Sequence, residues 1–256
     1  MFCLLMQVIV DWGRSFLGSV VFYTIIPLPV HWKLDFLRVA RWASWIGLLL
    51  GLVLSLADWL LQQLGIGVFT GSAIVVALWL WLTGGLHFDG LIDTADGLAV
   101  LESERRLDVM QDSRVGAFGV MAAVVVLLLK TVALSEIPGD RCWVLIGSAV
   151  WGRWGQIMAI ALYPYLKPTG KGAFHREYFQ FPQDLIISAI AVIGVSCFSF
   201  PHWQLILQFF VIGIAIALST GFYFYHRFGG HTGDTYGAVV EWTEALFLIF
   251  YQVFLT

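Results

Sequence analysis

Apolar residues run along the chain in blocks. Residues 42–64, 66–86, 115–137, 142–163 and 203–225 are predominantly apolar, and each is near the roughly 20 residues that a helix needs to cross a bilayer. Residues 184–200 and 239–254 are shorter blocks of the same kind. The pattern predicts an all-α, polytopic transmembrane helical bundle of about seven spans. Residues 15–30 are a further apolar block, cut short by Pro27 and Pro29. It is expected either to cross or to form a re-entrant or interfacial N-terminal helix. Residues 1–10 carry no basic start and no small-residue cleavage site, so no removable signal peptide is expected. No linker and no convincing repeat break the chain, and residues 1–256 read as one domain.

The connections alternate in length. Gly65, residues 138–140 and residues 201–202 are tight turns, whereas residues 31–41, 87–114, 164–183 and 226–238 are long and polar. Two spans separate each long loop from the next, so all four must share one side of a membrane. Of 14 Lys and Arg residues, ten lie on these loops: Lys33, Arg38, Arg41, Arg105, Arg106, Arg114, Lys167, Lys171, Arg176 and Arg227. The positive-inside rule then puts the loops in the cytoplasm. The expected location is the cell inner (plasma) membrane, multi-pass.

Composition agrees. The chain of 256 residues is 59% hydrophobic and only 12% charged, with a mean hydropathy of +0.84. Soluble domains average about 45–50% apolar and about 25% charged, because a water-facing molecule needs a polar skin. The net charge of -3, with no basic run, argues against a nucleic-acid partner. Cys3, Cys142 and Cys197 are isolated and point to neither a disulfide framework nor a zinc site.

The chemistry concentrates after the second span. Gly84-Gly85 should end or kink that helix. Asp89, Asp93 and Asp96 follow at i, i+4 and i+7, which on a helix puts three carboxylates within an arc of about 60°. Asp108 and Asp112 repeat the i, i+4 spacing in a segment, residues 103–112, that looks helical. Charge runs usually face water. Here Phe88, Leu91, Ile92, Ala95 and Leu98 make the intervening face apolar, so like charges are forced onto one stripe. Hard divalent cations relieve that repulsion, and magnesium shares its shell with substrate phosphates.

Other polar residues have two readings each. Arg114 begins a span and either snorkels or clamps phosphate. Arg153 lies mid-span, where a charge is costly; it is either functional or paired with Glu136 or Asp58. Lys130 raises the same question. Residues 229–238, with His231, Thr232 and Asp234, form a glycine-rich loop ahead of Glu241 and Glu244. It is either a plain flexible loop or a contact for phosphate or nucleotide.

Three stretches carry a family resemblance: Gly84-Gly85-Leu86-His87-Phe88-Asp89-Gly90 through Asp96-Gly97-Leu98; Asp112-Ser113-Arg114-Val115-Gly116-Ala117-Phe118-Gly119; and Gly233-Asp234-Thr235-Tyr236-Gly237-Ala238 with Glu241. Together they closely resemble the cobalamin synthase (adenosylcobinamide-GDP ribazoletransferase) family. Residues 26–30, Arg153-Trp154 and Tyr163-Pro164-Tyr165 are similar to its remaining motifs. The chain departs from the family pattern at Val240, where a polar residue is usual, and in the short stretch 99–103.

The resemblance implies a magnesium-dependent membrane transferase. Adenosylcobinamide-GDP and α-ribazole, or its 5′-phosphate, would give adenosylcobalamin, or its 5′-phosphate, with release of GMP. On that reading Asp89, Asp93, Asp96 and Asp108 are expected to hold Mg2+. Asp112 is expected to be the base, with His87 as the alternative. Arg114, Arg153, His231, Thr232, Asp234 and Glu241 are expected to contact substrate. Two rivals share features. CDP-alcohol phosphotransferases have a similar aspartate pattern, but Val100 and Leu101 stand where that family has Ala-Arg. A transporter would suit Lys130, Arg153 and Asp58 within spans, although its site would lie near the midplane.

Overall fold

A computed structural model describes residues 2–29, 31–139, 141–167, 172–199 and 202–255. Val30, Asp140, Lys171 and Pro201, which entered the loop and turn assignments, lie outside the described residues. Eleven α-helices make up the chain among the described residues, with no strand. They are Phe2–Tyr23 (α1), Ala43–Gln63 (α2), Val68–Leu82 (α3), Leu86–Ala99 (α4), Arg106–Val109 (α5), Ala117–Glu136 (α6), Cys142–Leu162 (α7), Ala173–Glu177 (α8), Gln183–Phe198 (α9), Trp203–Phe228 (α10) and Gly233–Leu255 (α11). A 3-10 turn, Val39–Trp42, leads into α2.

The all-α bundle predicted from the apolar blocks is what forms. α7 is its centre, packed on α2, α9, α10 and α11. Val144, Val150, Trp151 and Ile160 on α7 are sealed from solvent. α6 lies at the periphery and leaves Val120, Val124, Leu128 and Val132 exposed. A continuous row of this kind suits lipid rather than water.

The count of seven spans is not established by length and composition. Three described stretches are long and apolar enough to cross a membrane: Val39–Gln63, Ala117–Glu136 and Trp203–Phe228. α3 with α4 makes a fourth if that bent pair is one span. α9 has only 16 residues. α7 and α11 carry charges in their interiors, which lowers their hydropathy although they are the best buried helices. At the N-terminus the helix begins earlier than expected, at Phe2, and ends at Tyr23 before Pro27.

The interior charges answer one another. Lys130 Nζ lies 2.6 Å from Glu241 Oε2 and 2.5 Å from Glu244 Oε2, and Arg153 pairs with Glu244. Two cations therefore face two carboxylates in the core. Arg153 thus has a partner that neither expected candidate supplied. Asp58 instead binds Arg141, whose Nε is 3.0 Å from Asp58 Oδ2, and Glu136 accepts from Gln252 at 2.9 Å.

The long loops gather at one end of the bundle. Arg38 pairs with Asp184, tying the first loop to the end of the third. Leu166 N donates to His231 O at 2.8 Å and His231 N to Pro164 O at 2.9 Å, joining the third loop to the fourth.

Candidate active site

Gly84 and Gly85 both adopt positive φ, +59° and +69°, a region that glycine enters freely. They turn the chain so that α4 leaves α3 at 92°, as the glycine pair predicts. α4 then runs under the N-terminal end of α11. The two helices meet backbone to backbone: a Cβ at Gly90 would sit 2.5 Å from Asp234 O, and one at Gly237 would sit 2.6 Å from His87 O. The close crossing brings Asp234 beside the aspartates of α4.

A cavity of about 430 Å³ opens there. Asp89, Asp93 and Asp234 line it with His87, Gln111 and Lys167. Three of the four long loops and the end of α1 thus contribute to one site. Asp93 is half-buried, and its carboxyl is pushed up to about 6 by burial and then by the neighbouring Asp89, Asp234 and Asp96. Lys167 Nζ partly offsets the charge, 3.2 Å from Asp234 Oδ2.

Asp96 shares the helix face but not the cavity. Its Oδ2 accepts the N–H of Gly116 at 2.7 Å and its Oδ1 that of Gly119 at 2.8 Å. It caps the N-terminus of α6 from a distance, where free N–H groups and the helix dipole favour an anion. Only glycine fits beside it, because a Cβ at Gly116 or Gly119 would come within 2.3 Å or 2.6 Å of its oxygens.

The remaining expected site residues fall in three places. Asp108, Asp112 and Arg114 are exposed on the loop between α4 and α6 and do not line the cavity. Arg114 makes bonds of 2.6–3.2 Å to Asp112, which hold the Asp112 carboxyl at about 2. Residues 103–112 are helical only in part, as a 3-10 turn and the short α5. Arg153 and Glu241 belong to the buried charge cluster of the core. His231 and Thr232 are fully buried and shape the start of α11: Thr235 Oγ1 accepts from Thr232 N at 2.8 Å, and Thr232 Oγ1 from Thr235 N at 3.3 Å. This reciprocal bonding is a capping box. Burial brings the His231 imidazole down to about 4.

Several cavity residues carry no signal in the sequence strong enough to single them out. Gln156 lies within an apolar block, where a polar side chain is a hint of function. His175, Tyr165 and Lys167 lie on a loop without regular spacing. By helix spacing His87 stands on the other side of α4 from Asp89, Asp93 and Asp96, yet it lines the same cavity as Asp89 and Asp93.

As for the metal, no three His, Cys, Asp or Glu side chains are drawn together as a ready-made site among the described residues. The donor chemistry nonetheless fits a hard cation. Asp89, Asp93 and Asp234 present only oxygen to a polar cavity, and Asp93 is under strong carboxylate repulsion.

A sequence model of cobalamin-5-phosphate synthase matches residues 15–252. The chain belongs to the cobalamin-5-phosphate synthase family. Membership makes it a transferase. An adenosylcobinamide-GDP ribazoletransferase of Trichormus variabilis is 53% identical over 238 residues, 91% of this chain and 94% of that protein. One of Synechocystis sp. is 49% identical over 246 residues, 93% and 94% of the two chains. A more distant one, of Prochlorococcus marinus, is 37% identical over 261 residues, 96% and 97% of the two. No solved structure matches the chain.

Proposed function

We propose that this cobalamin-5-phosphate synthase family member joins adenosylcobinamide-GDP to α-ribazole, or to its 5′-phosphate, in a magnesium-dependent reaction at the cavity over α4. The products are adenosylcobalamin, or its 5′-phosphate, and GMP. The observation that carries the reading is the convergence of Asp89, Asp93 and Asp234 on one cavity in a chain that matches the family over residues 15–252.

In the proposed reaction a ribose hydroxyl of the nucleoside, other than the 5′ one that stays phosphorylated when the 5′-phosphate is the substrate, attacks the phosphorus attached to cobinamide. The phosphoanhydride bond breaks, GMP leaves with the bridging oxygen, and the hydroxyl proton passes to a carboxylate of the cluster. Asp89, Asp93 and Asp234 would hold magnesium, which when bound would neutralise charge on the pyrophosphate. Lys167 stands beside them to meet a phosphate oxygen. Asp96 acts through α6, fixing that helix against α4. Asp112 is paired with Arg114 outside the cavity, so the base is a carboxylate of the cluster instead. We also propose that the loop end faces the cytoplasm, in the cell inner membrane, as the basic residues on the loops favour.

The test is to mix the purified protein with magnesium and both substrates and to weigh the products. Cobalamin and GMP in equal amounts are expected. Absence of both from a folded preparation would overturn the assignment, and uptake by sealed vesicles without chemistry would favour a transporter instead.

A further inference from the structure

The floor of the cavity differs in character from its carboxylate rim. His175, Gln156 and His87 form it, and they are only 4%, 3% and 3% exposed. Among the described residues, His175 Nδ1 and Gln156 Oε1 meet no hydrogen-bond partner, and the ring nitrogens of His87 have only the Gln156 side chain near bonding reach, without a bond of ordinary geometry. Buried polar atoms are ordinarily satisfied, so three neighbouring side chains with bonding capacity to spare mark a place built for a ligand. Tyr23 backs this floor, its ring 5.7 Å from that of His87 and 6.2 Å from that of His175, stacked on both. Phe22 contributes a further aromatic edge.

We infer that this floor seats the acceptor nucleoside, with His175, Gln156 and His87 bonding its uncharged base and ribose while the attacking ribose hydroxyl points up to Asp89 and Asp93. The inference rests on the proposed reaction. At the floor, burial brings His175 down to about 3 and Gln156 is an uncharged amide. A neutral imidazole and an amide suit a neutral ligand and leave the pyrophosphate to the rim. Size agrees, since 430 Å³ lies low in the range of about 300–1,000 Å³ for small-ligand sites. A nucleoside fits, and a corrin ring stays outside.

Guanine of the leaving group is the competing occupant. Its edge presents several N–H donors, which call for carboxylate or carbonyl acceptors. The floor supplies one amide oxygen and imidazole ring nitrogens, but no carboxylate. A benzimidazole nucleoside presents a single ring acceptor and apolar carbons, which match an imidazole N–H and the Phe22 ring.

The experiment compares the KM of each substrate in the wild type, His175→Phe and Gln156→Met, both of which keep side-chain size. Calorimetry of α-ribazole binding without magnesium or corrinoid runs alongside. Expected are wild-type binding of α-ribazole alone, about a tenfold rise in its KM in each variant, and a KM for adenosylcobinamide-GDP that moves less than about twofold. A rise confined to adenosylcobinamide-GDP would put guanine on the floor and overturn the inference, as would two unchanged values. If one variant fails to fold, the other variant and the wild-type calorimetry decide. A wild type that binds α-ribazole but makes no product would sink the proposed reaction and leave the seat standing.

Discussion

Asp96 spends both carboxylate oxygens on the N–H groups of Gly116 and Gly119. Asn keeps one acceptor, so Asp96→Asn is expected to lower stability by about 1 kcal/mol, the usual worth of an N-cap, in thermal unfolding in detergent. Gly119→Ala should destabilise as well, because its Cβ would meet Asp96 Oδ2 at 2.6 Å. A normal melting temperature in both would remove the capping role. The spacing of Asp89, Asp93 and Asp96 made the helix and its acidic face legible. It did not reveal that the third acid turns toward α6, because the donors lie 20 and 23 residues further along and no periodicity links them. Asp234 was legible as part of a polar loop, but its place beside Asp93 depends on the tight crossing at Gly90 and Gly237.

Helix interiors show the same division. The apolar blocks foretold the positions of α2, α6, α7 and α10, because long apolar runs must be helices in lipid. Lys130 and Arg153 were visible as costly intruders. Their partners, Glu241 for Lys130 and Glu244 for both, were not, since they stand on a helix about 90 residues or more away in sequence. Removing one member of a buried pair costs about 3–5 kcal/mol. Lys130→Met is therefore expected to unfold far more easily than the double variant Lys130→Met with Glu241→Gln, which removes one charge of each sign. Equal stability of the two in denaturant titration would argue against the cluster.

The loop histidines give a pH dependence. His175 and His231 stay neutral in the fold down to about 3 and about 4, whereas an unfolded chain takes up those protons below about 6.5. Each therefore contributes stability above that value that is lost as pH falls, about 1.4 kcal/mol per unit through the window. His175→Phe should flatten the fall in stability between pH 6 and 5 by about that amount. An unchanged slope would contradict its buried, neutral state.

At the scale of the whole molecule, the four long loops meet at one end, and the site is assembled from three of them. Alternation of short and long connections was enough to read this from the sequence. The cavity itself was not, because it depends on the 92° turn between α3 and α4. In a variant with its native cysteines replaced by serine, cysteines introduced at Glu104 and Glu177 should label together from one membrane face, and one at Leu64 from the other. A mixed pattern would contradict the shared end. The decisive comparison is turnover of Asp93→Asn against Asp112→Asn with saturating magnesium and both substrates. Asp93→Asn is expected to lose more than about 100-fold, beyond what outer-shell changes cost at a metal site, while Asp112→Asn stays within about tenfold of the wild type. Near-normal turnover by Asp93→Asn, with Asp112→Asn inactive, would move the chemistry out of the cavity and contradict the site.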